Sequence, residues 1–199
     1  GGRCNVTHAC WEPKELVLNY PRGRLQLLGP FSRFASGDAV AWFADRGVDL
    51  VAEPDGRMFP ISNTSTSVVD CLKKVAFQAG VTLRTKVQVE RVEHLEDRGF
   101  LVHHRGGPPF SALRILLATG GHPSGRRILS GLGHKVVPFV SSLFTFSLDA
   151  SWISVCSGLS VDNVQLNLSI RGKCFREQGR ILLTHWGLSG PAILRLSSF

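Results

Sequence analysis

Apolar and polar positions alternate along this chain in several distinct registers, and each register predicts an element. Residues 14–20 suit a short helix inside an otherwise irregular start, where Pro13, Pro21, Gly23, Gly29 and Pro30 interrupt the chain. From Ser36, a candidate cap, Ala39, Val40, Trp42 and Phe43 recur at helical spacing, and Gly47 suits a left-handed end to that helix. Asp55-Gly56 between residues 48–52 and 57–60 predicts a hairpin. A second helix follows with Ser65 or Thr66 as cap. Its predicted buried stripe is Val68, Val69, Leu72, Val75, Ala76 and Ala79, and Gly80 closes it.

Residues 81–91 alternate as a strand would, and residues 99–104 are placed to pair with the end of that strand. Residues 113–118 form a nearly continuous apolar run, the pattern of a strand buried on both faces, and end in Thr119-Gly120-Gly121. Beyond Gly133 the texture changes. Residues 143–148, 152–155, 164–170 and 180–184 read as short strands separated by turn residues. The pattern therefore predicts an α/β layout over residues 1–135 and a β-rich module over residues 136–199, with a helix opening near the end.

Composition narrows the function classes. The chain has 199 residues, 43% hydrophobic and 19% charged, which is ordinary for a globular protein. No apolar run reaches the roughly 20 residues that a membrane-spanning helix needs, so no membrane span is expected. The net charge of +8 would suit an anionic partner. Along the sequence, however, the positive residues look scattered, with the densest pair, Lys73-Lys74, in a predicted helix. No basic stripe with interleaved aromatics stands out, and no nucleic-acid partner is expected. Five cysteines without a Cys-x-x-Cys pair fit reduced thiols and a cytoplasmic setting. The seven histidines show no metal-ligand spacing, and His103 and His104 would point to opposite faces of one strand, so no metal is expected.

Three stretches could carry chemistry. Gly1-Gly2-Arg3-Cys4-Asn5 would let the backbone pass close to a ligand, with Arg3 and Asn5 supplying donors; a plain glycine turn fits these residues equally well. Residues 116–121 place small residues after a predicted strand, where ligands of open α/β sheets lie, although a tight structural turn is the competing reading. Around Ser189 the run Gly187-Leu188-Ser189-Gly190-Pro191 invites a hydrolase reading. Proline stands where the nucleophile elbow needs its second glycine, and Ser189 reads better as a helix cap with proline in the first turn.

Taken together, residues 1–8 (Gly-Gly-Arg-Cys-Asn-Val-Thr-His), 56–62 (Gly-Arg-Met-Phe-Pro-Ile-Ser), 117–121 (Leu-Ala-Thr-Gly-Gly), Leu132-Gly133-His134 with Pro138, and 184–194 (Thr-His-Trp-Gly-Leu-Ser-Gly-Pro-Ala-Ile-Leu) resemble one family. The chain is similar to the aminoacetone-oxidase-like FAD-binding proteins of the two-dinucleotide-binding-domain flavoprotein superfamily. The resemblance implies an incomplete Rossmann-like FAD-binding domain over 1–135, followed by the family's mostly β inserted domain over 136–199. It implies FAD as cofactor, contacted by Gly1, Gly2, Arg3, Cys4 and Asn5, by Val87 through main-chain groups at the adenine, and by Ala118, Thr119, Gly120 and Gly121. Arg57, with Phe59 and Pro60, would line the flavin side.

The implied activity is hydride or electron transfer through the flavin, with a small-molecule substrate and room for a nicotinamide cofactor. No catalytic acid or base is singled out. The family's Gly-x-Gly-x-x-Gly unit is not present in these residues, and both ends read as internal to a longer protein. Many members follow the double glycine with Tyr-Pro and Gly-Ser-Thr-Gly; here His122-Pro123-Ser124-Gly125-Arg126-Arg127 stands instead. The alternative from another class is a flavin-free binding or scaffold module whose glycine turns are structural.

Overall fold

A computed structural model describes residues 2–96 and 98–199. In chain order the elements are β1 (Thr7–His8), α1 (Pro13–Leu16) continued by a 3-10 turn (Val17–Asn19), α2 (Arg24–Phe31), α3 (Ser36–Ala44), β2 (Leu50–Ala52), β3 (Arg57–Pro60) and α4 (Ser65–Gln78). There follow β4 (Val89–Leu95), β5 (Gly99–His104), β6 (Phe110–Ala112), α5 (Pro123–Gly131), β7 (Phe146–Ser147), β8 (Ser160–Ile170), β9 (Lys173–Thr184), β10 (Gly187–Ser189) and α6 (Pro191–Ser197). The chain divides into two compact units. One runs to Val81 and resumes over Ser142–Phe199; the other is Thr82–Ser141.

The first unit holds two antiparallel sheets, in the orders β1-β3-β2 and β7-β10-β9-β8. The Asp55-Gly56 turn joins β2 to β3 as expected, with Val51 opposite Phe59. Met58, Phe59 and Pro60 are buried, as are Val68 and Cys71 of α4. In the second sheet, β8 and β9 form a long hairpin closed by Arg171 and Gly172, both at positive φ, the signature of a two-residue type I′ turn. Its inner face packs Ile181, Val164 and Leu166 against Ala192 and Ile193 of α6.

The second unit is a three-stranded antiparallel sheet, β4-β5-β6, with α5 lying on it. Val92, Val102 and Ile128 make its core, flanked by Ile115, Leu117 and Leu132. Helix α5 has Pro123 in its first turn, and the His122 imidazole Nδ1 accepts from the Ser124 N–H at 3.2 Å.

Several expectations are corrected. Residues 113–118 are not a ladder strand. Leu113 and Leu116 are 84% and 90% exposed, while Ile115 and Leu117 are half-buried, so the period-2 alternation survives without a strand neighbour among the described residues. Backbone groups need a partner strand to form a ladder, and an apolar run cannot specify one. For the same reason the strand expected over 81–91 begins only at Val89, where pairing with β5 starts.

Residues 152–155 turn instead of extending. Helices α2 and α5 were not foreseen: α2 buries no residue, so it has no apolar stripe to read. The cap of α4 is Thr64, whose hydroxyl accepts from the Thr66 N–H, instead of Ser65 or Thr66. Ser36 is the buried first residue of α3 and does not cap it; there Asp38 accepts from the Ala35 N–H at 2.7 Å.

Candidate functional site

In the first unit, the glycine-rich start is tied to the β2–β3 hairpin. The Gly2 carbonyl accepts from the Ser65 N–H at 2.8 Å, and Val6 N–H donates to the Met58 carbonyl at 2.9 Å. Asn5 Oδ1 accepts from the Met58 N–H at 3.2 Å, which commits its acceptor to the fold. Cys4 is half-buried beside them. Gly1, also expected at the site, lies outside the described residues.

Around this loop sits an ionic cluster that sequence reasoning only half identified. Glu53 pairs with Arg3 and, at 3.1 Å, with Arg57; Arg57 also donates to Asp55 at 2.7 Å. The Arg3 guanidinium lies 3.9 Å from the Phe59 ring centroid and that of Arg57 lies 5.4 Å from it. The structure thus brings Arg3 and Arg57 together beside one aromatic ring, with Glu53 paired to both. Glu53 was missed. Its signal was the acid set four residues before Arg57, on the far side of a predicted two-strand turn.

The Arg57 main-chain N–H, joined by its guanidinium, holds the Asp55 carboxyl below the ordinary carboxylate range. Nearby, burial and then the charges of Glu15 and Glu12 push the Cys10 thiol up, so Cys10 is no activated nucleophile.

The second unit contains a groove of about 1080 Å³ that gathers Val87, Ala118 and Thr119 from the expected positions. Its floor is apolar, formed by Leu83, Val89, Ile115 and Leu117. Arg84, Arg114, Arg127, His122 and Ser124 also line it, and among the described residues no carboxylate does. None of these polar side chains was singled out as a site residue in the sequence, because they come from three separate segments. Gly120 and Gly121 follow Thr119 without lining the groove. At both, an added Cβ would meet no protein atom within 4 Å, and Gly120 has φ +56°. Main chain there is open to an approaching molecule.

Such a groove can accept a flat apolar body with an anionic portion, since its cations are uncompensated by lining acids. Among the described residues, no group of three or more His, Cys, Asp or Glu side chains is placed to hold a metal ion. No helix among them is long and apolar enough to cross a membrane.

Comparison with known proteins gives the arrangement its context. Residues 1–174 match the family model described as HI0933-like protein Rossmann domain. The chain is 29% identical, over its whole length, to the ribosomal RNA dihydrouridine synthase of Escherichia coli (strain K12), covering 50% of that protein. It is 28% identical to the enzyme of the same name from Haemophilus influenzae, again over its whole length and 51% of that protein. With the 3-dehydro-bile acid delta(4,6)-reductase of Clostridium scindens the identity is 25%, over 98% of this chain and 48% of that protein. The chain spans about half the length of the curated relatives it matches. Two relatives named for a reaction on ribosomal RNA remove the ground for setting nucleic acid aside.

Proposed function

Because the chain belongs to the HI0933-like Rossmann-domain family of the FAD-binding superfamily, we propose that its protein is an FAD-dependent oxidoreductase. The observation that carries this reading is the groove of the second unit. Val87, Ala118 and Thr119, distant in sequence, share one cavity whose apolar floor suits a ring system and whose arginines suit phosphate. The open main chain at Gly120 and Gly121 fits the same use.

In this reading Val87 holds the adenine through main-chain groups, and residues 118–121 present bare backbone to the cofactor. Arg84, Arg114 and Arg127 offset its phosphate charge. Gly2, Arg3, Cys4 and Asn5 are also cofactor-contacting, and Arg57 is oriented for its part by Glu53 and Asp55. FAD, when bound, supplies the hydride or electron transfer; the protein binds it and excludes competing reactions.

Residues 1–135 are then part of the FAD-binding domain and residues 136–199 the β-rich inserted domain. The finer likeness to aminoacetone-oxidase-like flavoproteins and a cytoplasmic setting belong to the same proposal. So does the use of a nicotinamide cofactor as reductant. Homologues named as an RNA dihydrouridine synthase and as a bile acid reductase support a reductive activity and leave RNA and a small molecule as the two substrate classes.

The test is the visible absorption spectrum of the full-length protein, before and after replacing Gly120. Flavin bands that persist through gel filtration are expected in the natural protein. Gly120→Val puts a β-branched residue at φ +56°, at a cost of about 1–2 kcal/mol in backbone strain, and fills the open approach. Loss of the flavin bands in a folded variant is expected. A natural protein that stays colourless with added FAD would overturn the proposal in favour of a flavin-free binding module.

A further inference from the structure

Carboxylates are absent from residues 98–148, a stretch that carries Arg98, Arg105, Arg114, Arg126, Arg127 and Lys135. Counted along the chain the cations look dispersed; in the structure some of them gather on α5 and the segment after it. Arg126 lies beside Phe139, its guanidinium 5.3 Å from the ring centroid. A shallow depression of about 490 Å³ is lined there by Pro123, Arg126, Arg127, Ser130, Val136 and Pro138. Phe139 is 55% exposed, Val137 72% and Val140 78%. Lys135 and His134 are exposed next to Val136. Basic side chains stand beside exposed apolar and aromatic ones, and among the described residues no acid pairs with Arg126, Arg127 or Lys135.

We propose that this face is a docking surface for single-stranded RNA, with phosphates on Arg126 and Lys135 and a base stacked against Phe139. Charge complementarity favours a polyanion. An exposed aromatic ring held beside a guanidinium is a stacking platform, which a base uses and an acidic peptide does not. The inference deepens the proposed oxidoreductase by naming a substrate class and rests on it for that purpose. The RNA contact itself needs no flavin, so the two can fail separately.

The test uses full-length protein and a fluorescein-labelled, unstructured 20-nucleotide RNA, followed by fluorescence anisotropy at several salt concentrations. The natural protein is expected to bind with an affinity that falls as salt rises. Arg126→Ala should weaken binding of every sequence and flatten the log–log salt slope by about 0.7, one phosphate's worth for a single strand. Phe139→Ala should weaken binding at least about fivefold with the slope unchanged, as loss of a stacked base predicts. Arg105→Ala, on the β5–β6 connection, should change neither beyond measurement error.

Flavin absorbance and the thermal midpoint of each variant establish that it is folded. Undetectable RNA binding by the flavin-containing natural protein overturns the surface and leaves the oxidoreductase standing. Equal weakening by Arg105→Ala, or tight binding to anionic phospholipid vesicles that RNA fails to displace, also overturns it. RNA binding by a colourless protein would sink the oxidoreductase and keep the surface.

Discussion

Gly190 ends β10 and opens α6, and replacing it with alanine should cost more than any glycine substitution at an open turn. Two terms contribute. Its backbone has φ +97° and ψ 168°, a region essentially reserved for glycine, where a side chain costs about 1–3 kcal/mol. An added Cβ would also stand 2.9 Å from Ile181 Cα and 2.9 Å from Leu182 N. These are backbone atoms of β9, which cannot swing aside as a side chain would. Such overpacking costs about 1–3 kcal/mol more, and the sum is about 2–6 kcal/mol. Relief would require α6 to move off β9, unpacking Ala192 and Ile193, which are 0% and 1% exposed.

Gly172→Ala is the matched control. Gly172 sits at φ +76° in the β8–β9 turn with no atom within 4 Å of the added Cβ, so only strain of about 1–2 kcal/mol applies. Urea unfolding of the full-length proteins, with hydrogen exchange across β9 and α6, measures both. Gly190→Ala should lower the unfolding midpoint more and should reduce protection in α6 specifically. If the two variants lose the same stability, or if α6 amides keep their protection in Gly190→Ala, the packing account of this motif is wrong. The same geometry corrects the expected cap: Ser189 is the last residue of β10, and Gly190 stands at the N-cap of α6 with no side-chain cap hydrogen bond.

Two further outcomes follow from the charged and thiol groups. The Asp55 carboxyl is lowered, chiefly by the Arg57 N–H, so its contribution is present above the unfolded carboxylate pKa and lost as pH falls through the lower folded value. Asp55→Asn should therefore narrow the stability difference from the natural protein only in acid, below about pH 4, and equal differences at pH 3 and pH 7 in urea titrations would refute this. Cys10, its thiol pushed up by burial and by Glu15 and Glu12, should react with iodoacetamide near neutral pH more slowly than the exposed Cys174. Mass spectrometry of partly alkylated protein checks the order, and faster labelling of Cys10 would contradict it.

Local chemistry was legible wherever short-range rules decide the outcome. Asp-Gly at 55–56, the helices after Ser36 and Ser65, and the 99–104 pairing all appear, because turn residues and side-chain periodicity act within a few positions. The expected stripe of α4 is corrected, since Val68 and Cys71 are buried while Val69, Leu72 and Ala79 are exposed. What stayed hidden depends on partners distant in sequence. Residues 113–118 keep a strand's in-and-out alternation, yet whether they join a ladder is set by which strand lies alongside, and nothing inside six residues specifies that.

The candidate site divides in the same way. Glycine-flanked stretches such as 118–121 announce themselves because bare backbone is a local property. Glu53, Arg84 and Arg114 do not, since each matters only through what the fold sets opposite it. Charge shows why a tally misleads: the +8 looks diffuse until the carboxylates are mapped instead of the cations. Surface potential depends on the local excess of one sign within roughly a Debye length, about 8–10 Å, and a stretch without acids sustains that excess even when its arginines are far apart in sequence. The proposed anion-binding groove and the proposed RNA-docking face both draw on the acid-free stretch, through Arg114 and Arg127 in the one and Arg126, Arg127 and Lys135 in the other.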